Sequence, residues 1–307
     1  MLLPARGRTG GFVYKVVKYS FLLPAYKGAF LKEALDSIQA QTYEDFSVVI
    51  SDDCSPDPLY EIVQPFLADS RFRYRRNDSN IGAEQLVTHW NLLVKECDSP
   101  YLIMAGDDDL YEPTFLEEMD RLVVKYPDAN LFRSRMNIIN GSGAISRTDP
   151  PNEEYQTRSE FIDSLFDGRY IHCVGNYIFK TGFLKAAGGF KYFPLGWFSD
   201  DITALICSEN GVARSQAVLF HFRHSGISIS TKENVYDHLK SQATISSHKW
   251  IRKQVTIPRD ARKKHKEYCL KLYRHYWKGL SFKQRICVLL NFPIYGWRIV
   301  KDRLNVV

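Results

Sequence analysis

The 307-residue sequence predicts an α/β fold: a mostly parallel central sheet with helices on both faces, followed by a helical C-terminal region. Two observations carry this. Short β-branched and aromatic runs alternate with amphipathic stretches of ten to fifteen residues, the pattern of a parallel sheet with crossover helices. Each of the first four short runs also ends in a polar, turn-forming or acidic cluster. The composition is 45% hydrophobic, and no run of eighteen apolar residues occurs, so the chain can bury a core without a spanning helix.

Residues 1–15 read as a flexible extension, because Met1 to Gly11 is basic and glycine-rich and lacks the apolar stretch of a signal peptide. Val16 to Leu23 is the first strand and ends at Pro24-Ala25-Tyr26. Leu31, Ala34, Leu35 and Ile38 share one helical face. Phe46 to Ile50 is the second strand, closed by Ser51-Asp52-Asp53-Cys54-Ser55-Pro56, and Leu59, Ile62, Val63, Phe66 and Leu67 mark the next helix. A third strand, Phe72 to Arg75, leads into the turn Asn77 to Gly82, which holds Asn80. A helix carrying Leu86, Trp90, Leu93 and Cys97 precedes the fourth strand, Tyr101 to Ala105.

That strand breaks at Gly106 into Asp107, Asp108 and Asp109, and Pro113 opens a helix with Phe115, Leu116, Met119, Leu122 and Val123 on one face. Two unit charges about 4 Å apart repel by roughly 4 kcal/mol at a surface-like dielectric. Three carboxylates at a strand end therefore call for a counter-cation or for full solvation, and oxygen-only ligands suit Mg²⁺ or Mn²⁺. In open α/β sheets ligands bind outside the carboxyl ends of the strands, so all four clusters fall on one rim. No glycine-rich phosphate loop accompanies them.

The order PAY, then SDD, then NxG, then GDDD-x-x-x-P resembles family 2 glycosyltransferases of GT-A fold, over about Val16 to about Ser230. The resemblance implies transfer of a hexose-type sugar from a nucleotide diphosphate donor (UDP-, GDP- or dTDP-linked) to an acceptor hydroxyl. It assigns residues 16–112 to the donor half and 113–230 to the acceptor half. Pro24, Ala25 and Tyr26 then lie beside the nucleoside and Asp53 contacts the base, with Asp52 as its neighbour; Asn80, Gly82 and Asp107 complete the donor site. A divalent metal, Mn²⁺ or Mg²⁺, falls to Asp107, Asp108 and Asp109. An Asp-x-Asp motif reads as Asp107 and Asp109, whereas counting back from Pro113 selects Asp108 and leaves Gly106 where the family's first acid often stands.

Further strands are expected at Asn130 to Ile139 and Gly175 to Lys180, and a short helix at Arg158 to Phe166. Asp200-Asp201 opens another helix after Trp197-Phe198. A sugar hydroxyl needs its proton taken as it attacks, and a carboxylate in reach can take it. The resemblance gives that role to Asp201, with Asp200 beside it; a pair capping a helix N-terminus is the simpler alternative. Trp197 suits the face of an acceptor sugar. His221 and His224, at a late strand end, match a histidine that some GT-A enzymes use on the metal.

After Thr231, residues 231–307 read as helical and basic, with Arg262, Lys263, Lys264, Lys266, Lys271 and Arg274 interleaved with Tyr268, Leu270, Tyr276 and Trp277. This pattern suits an anionic membrane surface, and equally a helical cap on the core. Nucleic acid is disfavoured because no recognition fold accompanies the +6 net charge. The six cysteines form no CxxC pair, which argues against zinc or a disulfide framework and fits a reducing cytosol. The expected function is metal-dependent, inverting sugar transfer in bacterial surface-glycan synthesis, onto a glycan or lipid-linked acceptor at the inner face of the cytoplasmic membrane. A nucleotidyltransferase with an acidic metal site, or a catalytically silent glycan- or partner-binding subunit, are the alternatives.

Overall fold

The computed structural model describes residues 16–168, 170–229, 235–254, 259–277 and 280–291. The expected N-terminal extension and parts of the basic 231–307 region lie outside them, as does Ser230, near which the family resemblance ends.

Four parallel strands form the first half of the sheet. They are β1 (Tyr19–Ala25), β2 (Phe46–Asp52), β3 (Phe72–Arg76) and β4 (Tyr101–Met104), in the spatial order β3-β2-β1-β4. Their connections hold α1 (Leu31–Gln39), α2 (Leu59–Val63) and α3 (Leu86–Glu96). Ala25 pairs with Asp52, and Asp52 with Arg76, so the carboxyl ends are level and their loops share one rim.

The second half is mixed. β5 (Leu110–Tyr111) follows the acidic turn, α4 (Phe115–Lys125) leads to β6 (Leu131–Asn140), and β7 (Ile145–Thr148) and β8 (Tyr155–Gln156) are short additions. Next come α5 (Arg158–Asp167), β9 (Tyr177–Lys180), α6 (Thr181–Ala186), α7 (Ser199–Cys207) and β10 (Val212–His224). The sheet continues from β4 through β9, β6 and β10 to β5, with β9 and β5 antiparallel to their neighbours. Such reversals need no crossover helix, which is why helix–strand alternation alone did not reveal them.

Side-chain alternation along the strands sorts the core into two layers. Phe21, Leu23 and Ile103 face one layer with α1, α2 and α4, whereas Leu22, Leu102 and Met104 face the other with α3, α5 and α7. The α4 stripe of Phe115, Leu116, Met119, Leu122 and Val123 is buried as its period requires, each side chain contributing about 1.5–3 kcal/mol. Thr157 and Glu160 form a capping box that starts α5.

The C-terminal region supplies α8 (Asp237–Gln254), α9 (Arg259–Tyr276) and α10 (Phe282–Asn291). α9 packs on α5 and α8 and buries His265, Cys269, Leu270 and Tyr276, while Arg262, Lys263, Lys271 and Arg274 stay exposed. α9 is therefore a cap on its apolar side and basic on its outer side.

Candidate active site

The rim loops and the start of α7 enclose one cavity of about 620 Å³. Its walls include Pro24, Ala25, Tyr26, Asp53, Asn80, Gly82 and Asp107 from the strand-end loops, and Trp197, Asp200 and Asp201 from around the start of α7. Residues far apart in sequence, from Pro24 to Asp201, thus meet, the strand-end loops because parallel strands deliver them to the same edge.

Asp52 is not part of this surface. Its carboxylate is fully buried, accepting hydrogen bonds from Ser55 N at 2.7 Å, the Tyr74 hydroxyl at 2.6 Å and Arg76 at 2.5 Å. It serves the β2–β3 edge, a correction to its expected donor contact. Asp53, one residue on, faces the opposite way. Its two oxygens accept from Asn77 Nδ2, Asn80 Nδ2, Ile81 N and Gly82 N, at 2.8 to 3.1 Å. Four donors use the acceptor capacity of one carboxylate. Asp53 therefore holds the 77–82 turn in place, and Gly82 reaches it with φ of 86°, a conformation that favours glycine.

The acidic turn separates by residue. Asp107 Oδ2 accepts the backbone N–H of Tyr26 at 3.0 Å and of Lys27 at 2.8 Å, which locks the turn after β1 to the turn after β4. Asp107 Oδ1 and Asp108 Oδ2 both converge on the Lys27 ammonium, at 2.9 and 2.7 Å. Burial opposes the charge on Lys27, but the two carboxylates outweigh it and hold the ammonium above the usual lysine range. Burial and Asp107 push the Asp108 carboxyl up, against the pull of Lys27. Lys27 and Asp107 line the cavity, and Asp108 reaches it through Lys27.

Asp109 departs from the expected metal role. It is buried, its Oδ1 accepts Arg223 N at 3.0 Å, and its Oδ2 stands 2.6 Å from where a Cβ on Gly106 would sit. Burial and Asp108 push its carboxyl well above the ordinary range. An acid at position 106 would collide with Asp109, so Gly106 and the inward Asp109 are two sides of one arrangement. Arg223, itself buried, also donates to Asp108 O at 2.9 Å and to Glu33 at 2.7 Å, tying the turn to β10 and α1.

The two oxygens that already cage an ammonium are the right donor type and number for one face of a divalent ion. The residues fit Mn²⁺ or Mg²⁺ at Asp107 and Asp108 with Lys27 displaced, and they do not include Asp109. His221 is committed elsewhere: Nε2 meets Glu112 at 2.7 Å and Nδ1 meets Asn137 at 3.2 Å. Neither His221 nor His224 lines the cavity.

On the opposite wall, Leu195, Gly196 and Phe198 all have positive φ, of 65°, 69° and 70°. Two of these are bulky L-residues in a sparsely populated region, a strain that the surrounding core must hold. The turn presents Trp197 to the cavity and starts α7 with Asp200 and Asp201 in its first turn. Burial raises the Asp200 carboxyl to about 6, even with Asp201 N donating to it at 3.0 Å. Burial and the Asp200 charge push Asp201 well above the usual range. Asp201 accepts no hydrogen bond from the described residues, so its oxygens remain open to the cavity.

Several lining residues escaped the sequence reading. Lys27 was visible only as the residue after a turn. His172, Tyr236 and Tyr268 also line the cavity, the last two from the C-terminal region, and no local pattern marks them.

The match of residues 20–186, more than half of the chain, to Glycosyl transferase family 2 decides the family. The chain belongs to glycosyl transferase family 2. Among curated relatives of this family 2 chain, poly(ribitol-phosphate) beta-N-acetylglucosaminyltransferase TarS of Staphylococcus aureus is 24% identical over 190 residues. That alignment covers 58% of this chain and 30% of the relative. The protein y4gI of Sinorhizobium fredii is 25% identical over 177 residues, 56% of this chain and 18% of the relative. The chain thus spans a third or less of the lengths of these relatives. In fold it is similar to S. aureus TarS 1-349 in complex with UDP-GlcNAc (TM-score 0.64, 16% identity, 93% of this chain and 80% of that one). It is also similar to the mannosyltransferase PcManGT from Pyrobaculum calidifontis in complex with GDP-Man and Mn²⁺ (TM-score 0.58, 13% identity, 96% and 82% of the two chains). The family 2 assignment and these likenesses agree on the GT-A-like α/β fold expected from the sequence.

Proposed function

We propose that this family 2 chain is an inverting, metal-dependent glycosyltransferase that moves a sugar from a nucleoside diphosphate to an acceptor hydroxyl in bacterial surface-glycan synthesis. One observation carries the reading: Asp107, which converges with Asp108 on Lys27, lines the same cavity as a second carboxylate pair with raised proton affinity, Asp200–Asp201. The known ligands of the similar structures, UDP-GlcNAc and GDP-Man, support a nucleotide-sugar donor without choosing its base.

The nucleoside lies against Pro24 and the half-exposed Tyr26 ring, over the turn that Asp53 and Asn80 hold. The diphosphate faces Lys27, Asp107 and Asp108. A divalent ion held by Asp107 and Asp108 would supply positive charge for the departing diphosphate. Asp201 takes the acceptor proton as the acceptor oxygen forms its bond to the anomeric carbon. The bond from that carbon to the phosphate oxygen breaks, and its electrons leave with the nucleoside diphosphate. A single displacement of this kind inverts the anomeric centre. The Asp200 charge raises the proton affinity of Asp201, which strengthens it as a base once ionised. Trp197 offers its face to the acceptor sugar.

The basic outer side of α9, together with Phe282, Ile286 and Leu290 exposed at four-residue spacing on α10, suits an anionic membrane surface carrying a lipid-linked acceptor. No helix among the described residues is long and apolar enough to cross a membrane.

The test is to incubate the chain with UDP-, GDP- and dTDP-sugars, with and without Mn²⁺, and to identify the nucleotide released. Release of nucleoside diphosphate with at least one donor is the expected result. Release of sugar 1-phosphate, with the nucleotidyl group passing to added pyrophosphate, would make the protein a nucleotidyltransferase-type enzyme. No turnover, with donor binding retained, would make it a binding subunit.

A further inference from the structure

His248 on α8 and His265 and Cys269 on α9 converge in the interior of the C-terminal region, away from the acidic turn. All three are buried, exposing 5%, 1% and 0% of their surface, and their ligand atoms lie within 4.8 Å of one another. His265 Nε2 and Cys269 Sγ are 3.4 Å apart, one helical turn from each other on the same face. The two imidazoles stack at 5.2 Å with an interplanar angle of 22°, and Phe166 of α5 closes the other side of His265 at 4.5 Å.

Zinc binds cysteine sulfur at about 2.3 Å and histidine nitrogen at about 2.0–2.1 Å, so a tetrahedral site sets such a nitrogen and sulfur roughly 3.5 Å apart. The His265–Cys269 separation already has that value. A borderline-soft ligand set of two imidazoles and one thiolate suits Zn²⁺ over the hard, oxygen-seeking Mg²⁺ or Mn²⁺. We propose that His248, His265 and Cys269 form a zinc site that pins α8 to α9, distinct from any ion on Asp107 and Asp108. On binding, the Cys269 thiol gives its proton to solvent and its sulfur bonds the metal; the fourth tetrahedral position is left to water or an added anion. The sequence argument against zinc rested on the missing CxxC pair, which does not bear on ligands drawn from two helices. The site also has a structural consequence for the cavity. Tyr268, adjacent to Cys269, lines the acceptor side, so fixing α9 on α8 fixes that wall.

The test uses the full chain, stripped with a chelator and titrated with Co²⁺ and then Zn²⁺. One Co²⁺ per chain is expected to give the near-ultraviolet thiolate-to-cobalt charge-transfer band and intense tetrahedral d–d bands, displaced by Zn²⁺; Co²⁺ on the acidic turn has only oxygen ligands and gives no such band. Zn²⁺ should also raise the melting temperature of the stripped protein. Cys269→Ser should abolish the charge-transfer band, while Asp108→Ala should leave it intact. If Cys269→Ser does not fold, His248→Gln carries the test, with Zn²⁺ affinity expected to fall about a hundredfold for the lost ligand. Absence of stoichiometric Co²⁺ or Zn²⁺ binding, or a charge-transfer band unchanged in Cys269→Ser, would overturn the site. The readouts do not involve sugar transfer, so failure here leaves the reading of the acidic cavity untouched.

Discussion

Lys27 is bound to Asp108 at 2.7 Å while its ammonium also meets Asp107 at 2.9 Å, so a side chain of the protein occupies the point on which both carboxylates converge. A divalent ion entering this pair must first displace Lys27. Lys27→Met removes the competitor and leaves the carboxylates in place. Mn²⁺ affinity of the donor-free chain should then rise about tenfold, which is about 1.4 kcal/mol. Isothermal titration of Mn²⁺ into the two proteins checks this; equal affinities would show that Lys27 does not compete.

Asp108→Ala should abolish Mn²⁺-dependent binding of a nucleoside diphosphate, and EDTA should do the same to the unaltered chain. Asp109→Ala should behave differently: its carboxylate serves Arg223 and the sheet interior, so its loss should lower the melting temperature. Calorimetry paired with thermal melting separates the two effects. Nucleotide affinity unchanged by EDTA would remove the metal from the mechanism.

Asp201→Asn preserves shape but removes a base. Turnover should fall about a hundred- to ten-thousandfold, with nucleotide affinity nearly unchanged. Asp200→Asn should slow turnover less. An active Asp201→Asn enzyme beside an inactive Asp200→Asn enzyme would move the base by one residue, and two active variants would leave the pair as first-turn acids of α7 with no part in proton transfer.

The same pair should carry a stability cost above acidic pH. The Asp200 carboxyl titrates at about 6 in the fold against 3.8 for the free group, so the folded chain binds its proton more tightly. That contribution is present below about pH 4 and is lost as pH rises through about 6. Asp200→Asn escapes the loss, so its melting temperature relative to the unaltered chain should rise between about pH 4 and pH 8. Melting curves across that range check the sign. A difference independent of pH would mean that burial does not strain Asp200.

Asp53→Ala releases four donors from the 77–82 turn. The fold should persist, while nucleotide affinity falls about tenfold or more, the scale of losing one charge-assisted hydrogen bond of about 1.5–3 kcal/mol. Amide exchange in residues 77–82 should quicken at the same time. Lost affinity with unchanged exchange would instead argue for a direct contact between Asp53 and the base.

The rim was legible in the sequence because its logic is local: a strand end, a turn residue and the rule that parallel strands share a carboxyl edge. What failed was direction. Asp52 and Asp53 are adjacent letters, yet side chains alternate along extended chain, and one serves the sheet edge while the other faces the cavity. Asp109 is hidden for a related reason, since its partner Arg223 lies 114 residues away on β10. Lys27 acquires its role only because β1 and β4 are neighbours in the sheet. Tyr236, just before α8, and Tyr268 of α9 belong to a region that leaves no trace in the strand-end motifs, and the antiparallel β9 falls within a stretch that reads equally well in either direction.

Tyr236 and Tyr268 also mean that the cavity is assembled from two parts of the chain, one before and one after residue 235. The sheet carries the acidic turn, the Asp53 clamp and the Asp200–Asp201 pair, whereas the C-terminal helices add only a wall. Exchanging residues from 235 onward between family members would therefore alter that wall while leaving the acidic turn and the Asp200–Asp201 pair in place. The chain offers a natural seam at that point.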